Sequence, residues 1–145
     1  MDAILFIGIQ ATDKSTCYEQ NFADTHIRIN LDMLRTRQRE AIILQAYLDA
    51  KQSFVVDNTN PTSANRQKYI LLAKPLGFTI IGYYLQSKVK EAIVRNNLRT
   101  GKACIPEEGV LAARGRLEIP NYSEGFDHLY YVTFNLDGRN NIAIA

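Results

Sequence analysis

Apolar residues come along this chain in short runs, separated by longer stretches where they recur every three or four positions. Ala3 to Gly8 is an unbroken apolar run, the pattern of a strand covered on both faces. Further strands are predicted at His26 to Asn30, at Ser53 to Asp57, at Phe78 to Leu85 and, last, at His128 to Phe134. Helices are predicted from about Lys14 to Phe22 and from Leu31 to Ala50, the second with Leu34, Ile42, Ile43, Ala46 and Tyr47 as its apolar face. Thr62 should cap another helix that runs through Leu72 and stops near Pro75 and Gly77. Ser87 to about Leu98 and Glu107 to about Arg114 complete the helices, with a basic loop from Arg99 to Pro106 between them. Strands alternating with helices predict an α/β domain: a central parallel sheet of about five strands in a three-layer sandwich. Ligands in such folds bind beyond the carboxyl ends of the strands. Gly8, Asn30 and Asp57 fall at those ends and should share one crevice.

Composition narrows this picture little. The 145 residues suit one domain, and 46% hydrophobic with 22% charged residues is ordinary for a soluble protein. A net charge of +2 sets up no strong basic field for nonspecific nucleic-acid binding. Cys17 and Cys104 lie far apart and outside any paired-cysteine motif. That argues against zinc and for reduced thiols in a cytoplasmic protein. No apolar run is long enough to span a bilayer. Asp2, with no cationic stretch around it, argues against a secretory leader. Neither a membrane nor an obligate protein partner is expected. Tyr83, Tyr84, Tyr130 and Tyr131 read as core and strand-edge residues rather than stacking platforms.

The chemistry concentrates after the first strand. Gly8-Ile9-Gln10-Ala11-Thr12-Asp13-Lys14-Ser15-Thr16 approaches the phosphate-loop pattern G-x-x-x-x-G-K-[ST], in which backbone N–H groups and a helix N-terminus cradle phosphates. Lys14 would reach the β- and γ-phosphates, and Ser15 would ligate Mg²⁺. Asp13 stands where the motif has its second glycine. A carboxylate about 4 Å from a phosphate charge, at an effective dielectric of about 20, costs about 4 kcal/mol, or roughly a thousandfold in affinity. The chain as written should therefore bind a nucleoside triphosphate poorly.

Three other groups of residues take meaning from their order. Asp32 and Arg35 follow the second strand, three apart at a predicted helix start and hence neighbours on one face. A carboxylate there can take the proton of an attacking hydroxyl, and an arginine can hold an anionic acceptor. Asp57, after Val55 and Val56, sits at a strand end where a metal-holding carboxylate is found in phosphate-loop proteins, followed by Asn58-Thr59-Asn60-Pro61. Arg95 and Arg99, four apart with Gly101 beyond, suit a lid that closes over phosphates. Taken singly, each group has a plain alternative in a capped helix, a polar turn or a solvated helix end. Arg28, Arg35, Arg37 and Arg39 could also form a local track for a nucleic-acid strand end.

In this order the pieces resemble the P-loop kinases of the 5′-hydroxyl polynucleotide kinase type, the kinase half of polynucleotide kinase/phosphatase. The resemblance runs from about Ile4 to Phe134. It rests on Lys14-Ser15-Thr16, Asn30-x-Asp32-x-x-Arg35, Asp57-Asn58-Thr59-Asn60-Pro61, Arg95-Asn96-Asn97-x-Arg99, Ile105-Pro106, and Pro120 with Ser123-Glu124-Gly125-Phe126. It implies a P-loop NTPase-type sandwich with an arginine-bearing lid. It also implies ATP as phosphoryl donor, Mg²⁺ as cofactor and a 5′-hydroxyl end of DNA or RNA as acceptor. By position it makes Asp32 the general base, with Lys14 and Arg99 also catalytic. ATP would be held by Gly8, Gln10, Ala11, Thr12, Asp13, Lys14, Ser15, Thr16, Arg95 and Arg99. The acceptor would be held by Arg35, Asn58 and Asn60, and the metal by Ser15 and Asp57. The chain departs from that family at Asp13 and, more mildly, at Ala11, and no attached phosphatase domain is expected. Two other readings stand beside this one: a P-loop kinase for a small-molecule alcohol, and an inactive kinase relic acting as a binding module.

Overall fold

The structure is a computed structural model that describes residues 1–8, 14–86, 117–134 and 140–144. Its centre is the apolar run at the start of the chain. Strand β1 (Asp2–Ile7) has Ala3 to Ile7 fully buried, which requires cover on both faces. Parallel neighbours flank it: β3 (Phe54–Val56) on one side and β4 (Thr79–Leu85) on the other. Strand β2 (Ile27–Ile29) lies beyond β3, and β5 (His128–Phe134) lies beyond β4, both parallel. A sixth strand, β6 (Asn140–Ile144), adds antiparallel to β5. The order is β2-β3-β1-β4-β5-β6.

The five predicted parallel strands are all present, and β6 adds to them at the edge. Nothing in the pattern of Asn140-Asn141-Ile142-Ala143-Ile144 predicts that strand, since it is short and opens on two polar residues. An edge strand packed on one side needs no long apolar run, and Ile144 is exposed. Two core clusters lie on the opposite faces of the sheet, one around Leu5, Ile7 and Phe54, the other around Ile4, Phe6 and Val55. Alternate side chains of β1 feed the two clusters, as a period of two requires. The tyrosines pair across strands, Tyr83 with Tyr130 and Tyr84 with Tyr131, at centroid distances of 5.1 and 5.7 Å.

Four helices are described: α1 (Lys14–Asn21), α2 (Leu31–Leu34), α3 (Arg37–Ala50) and α4 (Ser63–Ala73). The single helix expected from Leu31 to Ala50 is broken. Arg35 turns to φ 73, and Thr36 starts α3 as a new N-cap, accepting from the Arg39 N–H. The break resets the helical phase. Glu40, Leu44 and Leu48, four apart, face the core, while Ile42 is exposed. Helix α4 begins as expected at Thr62, in a capping box with Asn65, and its end passes into a 3-10 turn, Lys74–Leu76. Gly77 closes that turn at φ 90, a left-handed conformation suited to glycine. Among the described residues, no helix is long and apolar enough to cross a membrane.

One buried charge ties these layers together. Arg66 of α4 is fully buried. It donates to both oxygens of Glu124, Nε to Oε1 at 2.8 Å and Nη2 to Oε2 at 3.0 Å. Its Nη1 donates to the Asn60 and Glu118 carbonyls at 3.0 and 3.1 Å. Asn60, held at φ 44, in turn donates from its amide to the Phe6 carbonyl at 2.9 Å, and the Gly8 N–H donates to the Thr59 carbonyl at 3.0 Å. The loop after β3 is thus pinned to the end of β1. Arg66→Met leaves the Glu124 carboxylate without its guanidinium and should lower unfolding free energy by about 3–5 kcal/mol. Urea denaturation checks this; Arg66→Met combined with Glu124→Leu should recover part of the loss.

Candidate active site

The parallel strands β1, β2 and β3 end at one edge of the sheet, and the described candidate residues gather there. Strand order switches sides here: β2 and β3 lie on one side of β1 and β4 on the other, all parallel, the arrangement that opens a ligand crevice. Gly8 leaves β1 and Lys14 opens α1. Asn30, after β2, caps α2 by accepting from the Met33 N–H at 3.1 Å, and its own amide donates to the Asp57 carbonyl at 3.2 Å. The Asn58 side chain accepts from the Leu31 N–H at 2.8 Å. These bonds stitch the α2 turn to the end of β3 and so place Asp32, which is exposed in the first turn of α2.

Arg35 is not the helical neighbour of Asp32 that their spacing suggests. It sits at the C-cap of a four-residue helix, exposed, with positive φ. A bulky residue held there stores strain. Gln10 to Asp13, and Arg95 and Arg99 of the expected lid, lie outside the described residues. So does the helix expected from Ser87.

Asp57 is buried at the strand end, with 3% exposure. Burial lifts its carboxyl above the ordinary carboxylate range, against the pull of the Arg28 and Lys14 charges and of hydrogen bonds from Arg28 and Asn30. Arg28 of β2 donates from Nε to Asp57 Oδ2 at 2.6 Å, and its Nη2 lies 2.5 Å from the same oxygen. Nη2 also donates to Ser15 Oγ at 2.8 Å. A hydroxyl and a carboxylate are suitable oxygen donors for Mg²⁺, but in this arrangement the pair does not fit the ion. A guanidinium already donates to both.

A second buried carboxylate lies beside the first. Glu40 of α3 accepts from Tyr69 Oη (2.9 Å), Lys68 Nζ (3.1 Å), Arg37 Nη1 (3.2 Å) and Asn58 Nδ2 (3.0 Å). Burial would raise its pKa. Hydrogen bonds from Lys68, Tyr69 and Asn58, with the Lys68 charge, outweigh burial and hold it below the ordinary value. Burial and the Glu40 charge push the Tyr69 hydroxyl up. Beside this cluster is a pocket of about 210 Å³, lined by Arg37, Asn58, Thr59, Asn60, Pro61, Thr62, Asn65 and Lys68. Of the arginines of the expected track, Arg35, Arg37 and Arg39 are exposed. Arg28 and Arg37 are drawn into ion pairs, and Arg39 donates to the Leu34 carbonyl at 3.4 Å.

No protein-family model matches the chain. In solved structures its fold is similar to a gluconokinase from Sinorhizobium meliloti 1021, with 19% identity, TM-score 0.63, and 91% of this chain and 82% of that one covered. It is also similar to Chaetomium thermophilum Kti12 in complex with ADP-AlF3, with 15% identity, TM-score 0.73, and 92% and 89% covered. In sequence it is 28% identical over 139 residues to the bifunctional polynucleotide phosphatase/kinase of Schizosaccharomyces pombe, which covers 92% of this chain and 34% of that protein. The chain is polynucleotide kinase-like, on a P-loop kinase fold. It spans about a third of the length of the curated relatives it matches.

On this kinase-like fold, Arg28, Glu40 and Arg66 organise the site although no motif marks them. Glu40 and Arg66 had a signal: each stands in register with an apolar helical stripe, Glu40 with Leu44 and Leu48, Arg66 with Tyr69, Ile70 and Ala73. A charged residue in that phase must be buried with a partner. Because the Glu40 pKa is depressed in the fold, its stabilisation is present above the unfolded carboxylate pKa of about 4.3 and is lost as pH falls through the folded value. Glu40→Gln should cost about 1–3 kcal/mol at neutral pH. The gap between the two proteins should close in acid, as followed by thermal unfolding against pH.

Proposed function

We propose that the chain transfers the γ-phosphoryl group of ATP to the 5′-hydroxyl of a DNA or RNA end, with activity held low by Asp13. The observation that carries this reading is the sequence similarity to a polynucleotide phosphatase/kinase along 92% of the chain. The gathering of Gly8, Lys14, Asp32, Asp57 and Asn58 at one sheet edge supports it. So does the complex of Kti12, a protein of the same fold, with an adenine nucleotide and a phosphoryl mimic.

In this reading the 5′-hydroxyl oxygen attacks the γ-phosphorus while its proton passes to the Asp32 carboxylate. The bond from the γ-phosphorus to the β,γ-bridging oxygen breaks, and ADP leaves with that electron pair. Lys14, at the N-terminus of α1, together with Arg95 and Arg99, holds the phosphates as charge spreads over them. Arg35 orients the acceptor, and Asn58, bonded to the Leu31 N–H and the Glu40 carboxylate, holds the turn before Arg35 in place. Asn60 serves indirectly, since its amide is committed to the Phe6 carbonyl. The pocket bearing Arg37 and Lys68 supplies cationic walls for the phosphates of an acceptor strand.

Asp13→Gly should tighten ATP binding by roughly a thousandfold, read by calorimetry, and should raise radiolabel transfer from ATP to 5′-hydroxyl oligonucleotides. Equal, tight binding by both forms would refute the role given to Asp13. In the Asp13→Gly background, Asp32→Asn should leave ATP affinity nearly unchanged and abolish transfer; near-normal turnover would remove Asp32 as the base. Label on small alcohols but not on oligonucleotides would move the protein to the other kinase class. No label on either would leave a binding module.

A further inference from the structure

Ser15 and Asp57 come together at the strand ends, but a side chain from β2 stands between them. Arg28 places two nitrogens on Asp57 Oδ2, at 2.6 and 2.5 Å, and the second of these also reaches Ser15 Oγ at 2.8 Å. The guanidinium is held on other sides too. Its carbon lies 5.6 Å from the centroid of the Tyr18 ring, and Tyr18 is itself tied by its hydroxyl to the His26 carbonyl at 2.7 Å. The Asp57 side chain is 1% exposed and that of Arg28 24%. The Asp57 N–H donates to the Ile29 carbonyl at 2.8 Å, which locks the carboxylate to the strand bearing Arg28. Lys14 adds a second positive charge to the field at Asp57.

We propose that Arg28 is the built-in cation of this site: its guanidinium bridges Ser15 Oγ and Asp57 Oδ2 and excludes a divalent ion from the free protein. The choice of Ser15 and Asp57 as the oxygen pair rests on the phosphotransferase reading; the exclusion itself does not. An ion of Mg²⁺ size draws its oxygens in to about 2.0–2.1 Å with little freedom in direction, and a guanidinium bridging Oδ2 and Oγ stands in the space where it would sit. Arg28 directs its Nε–H at Oδ2 and an Nη2–H at Oγ, with Nη2 also in ion-pair contact with Oδ2. An ion entering beside it would meet two positive charges before it met a ligand. Metal entry therefore requires Arg28 to leave, and any ligand that brings a divalent ion to this edge must first displace it. Arg28 is thus a specificity-determining residue for the metal, set on the strand beside β3 rather than in the phosphate loop.

The test uses Mn²⁺ alone, with no nucleotide or acceptor, so its outcome is separate from that of the transfer assays. Bound Mn²⁺ is counted from the loss of the free-ion electron paramagnetic resonance signal. The unaltered chain should bind no Mn²⁺ at this edge up to millimolar concentration. Arg28→Gln should bind it at least about tenfold more tightly, and Arg28→Gln with Asp57→Asn should lose that gain. No gain in Arg28→Gln, or a gain that survives Asp57→Asn, would overturn the proposal. The unaltered protein gives a second readout that needs no variant to fold. Its Arg28 Nε–H nuclear magnetic resonance signal should stay sharp in Mn²⁺; broadening at submillimolar metal would place the ion against the guanidinium and overturn exclusion.

Discussion

A guanidinium sealed from water must satisfy its charge and its N–H groups within the protein, and Arg66 does so by joining the loop just before its own helix to the distant segment that holds Glu118 and Glu124. Its fork takes the Glu124 carboxylate in two parallel bonds and reaches the carbonyls of Asn60 and Glu118. Glu124 lies in the turn Tyr122–Glu124, ahead of β5. Asn60 is the loop residue whose amide holds the end of β1. The sheet edge that carries the site therefore depends on a salt bridge at its back. Hydrophobic burial brings the strands together, because apolar area gains by leaving water wherever it packs. It does not set the loop after β3 to within a hydrogen bond; directional donors do.

The same logic runs through the front of the site. Two buried carboxylates, Asp57 and Glu40, stand on either side of Asn58, and each is matched by cations from another element. Arg28 comes to Asp57 from β2, and Lys68 comes to Glu40 from α4. Asn58 spans the two neighbourhoods, donating to Glu40 and accepting from the α2 turn. Its side chain is thus as much a structural rivet as a contact for any acceptor. Charges at this edge are balanced inside the protein before any ligand arrives. Among the described residues, Arg28, Arg37 and Lys68 each pair with a buried carboxylate, and a ligand that recruits one of them must first release it from that partner.

Much of the fold was legible from period alone. The run from Ala3 to Gly8 could only be a central strand, and alternation of short apolar runs with helical spacing required a parallel sheet. Thr62 declared its helix because a hydroxyl three residues before Asn65 is a local capping device. The helix from Leu31 to Ala50 did not survive, because the break at Arg35 is a backbone reversal with no proline or glycine to mark it. The site was legible at the level of which segments meet. Gly8, Asn30 and Asp57 do share one edge, since strand ends in a parallel sheet must. Arg28 was readable only as one of several arginines, and its direction was not.

What the sequence by itself determined is therefore the five parallel strands, the helices α1 and α4, and the edge where the polar residues collect. These follow from local spacing and from the rule that apolar faces must be covered. Tertiary structure alone decided which charge meets which. Arg66 is 58 residues from Glu124, and Arg28 is 29 from Asp57. A cation has no sequence-encoded address; it takes the nearest carboxylate that folding places within reach, because an unpaired buried charge is the costlier alternative.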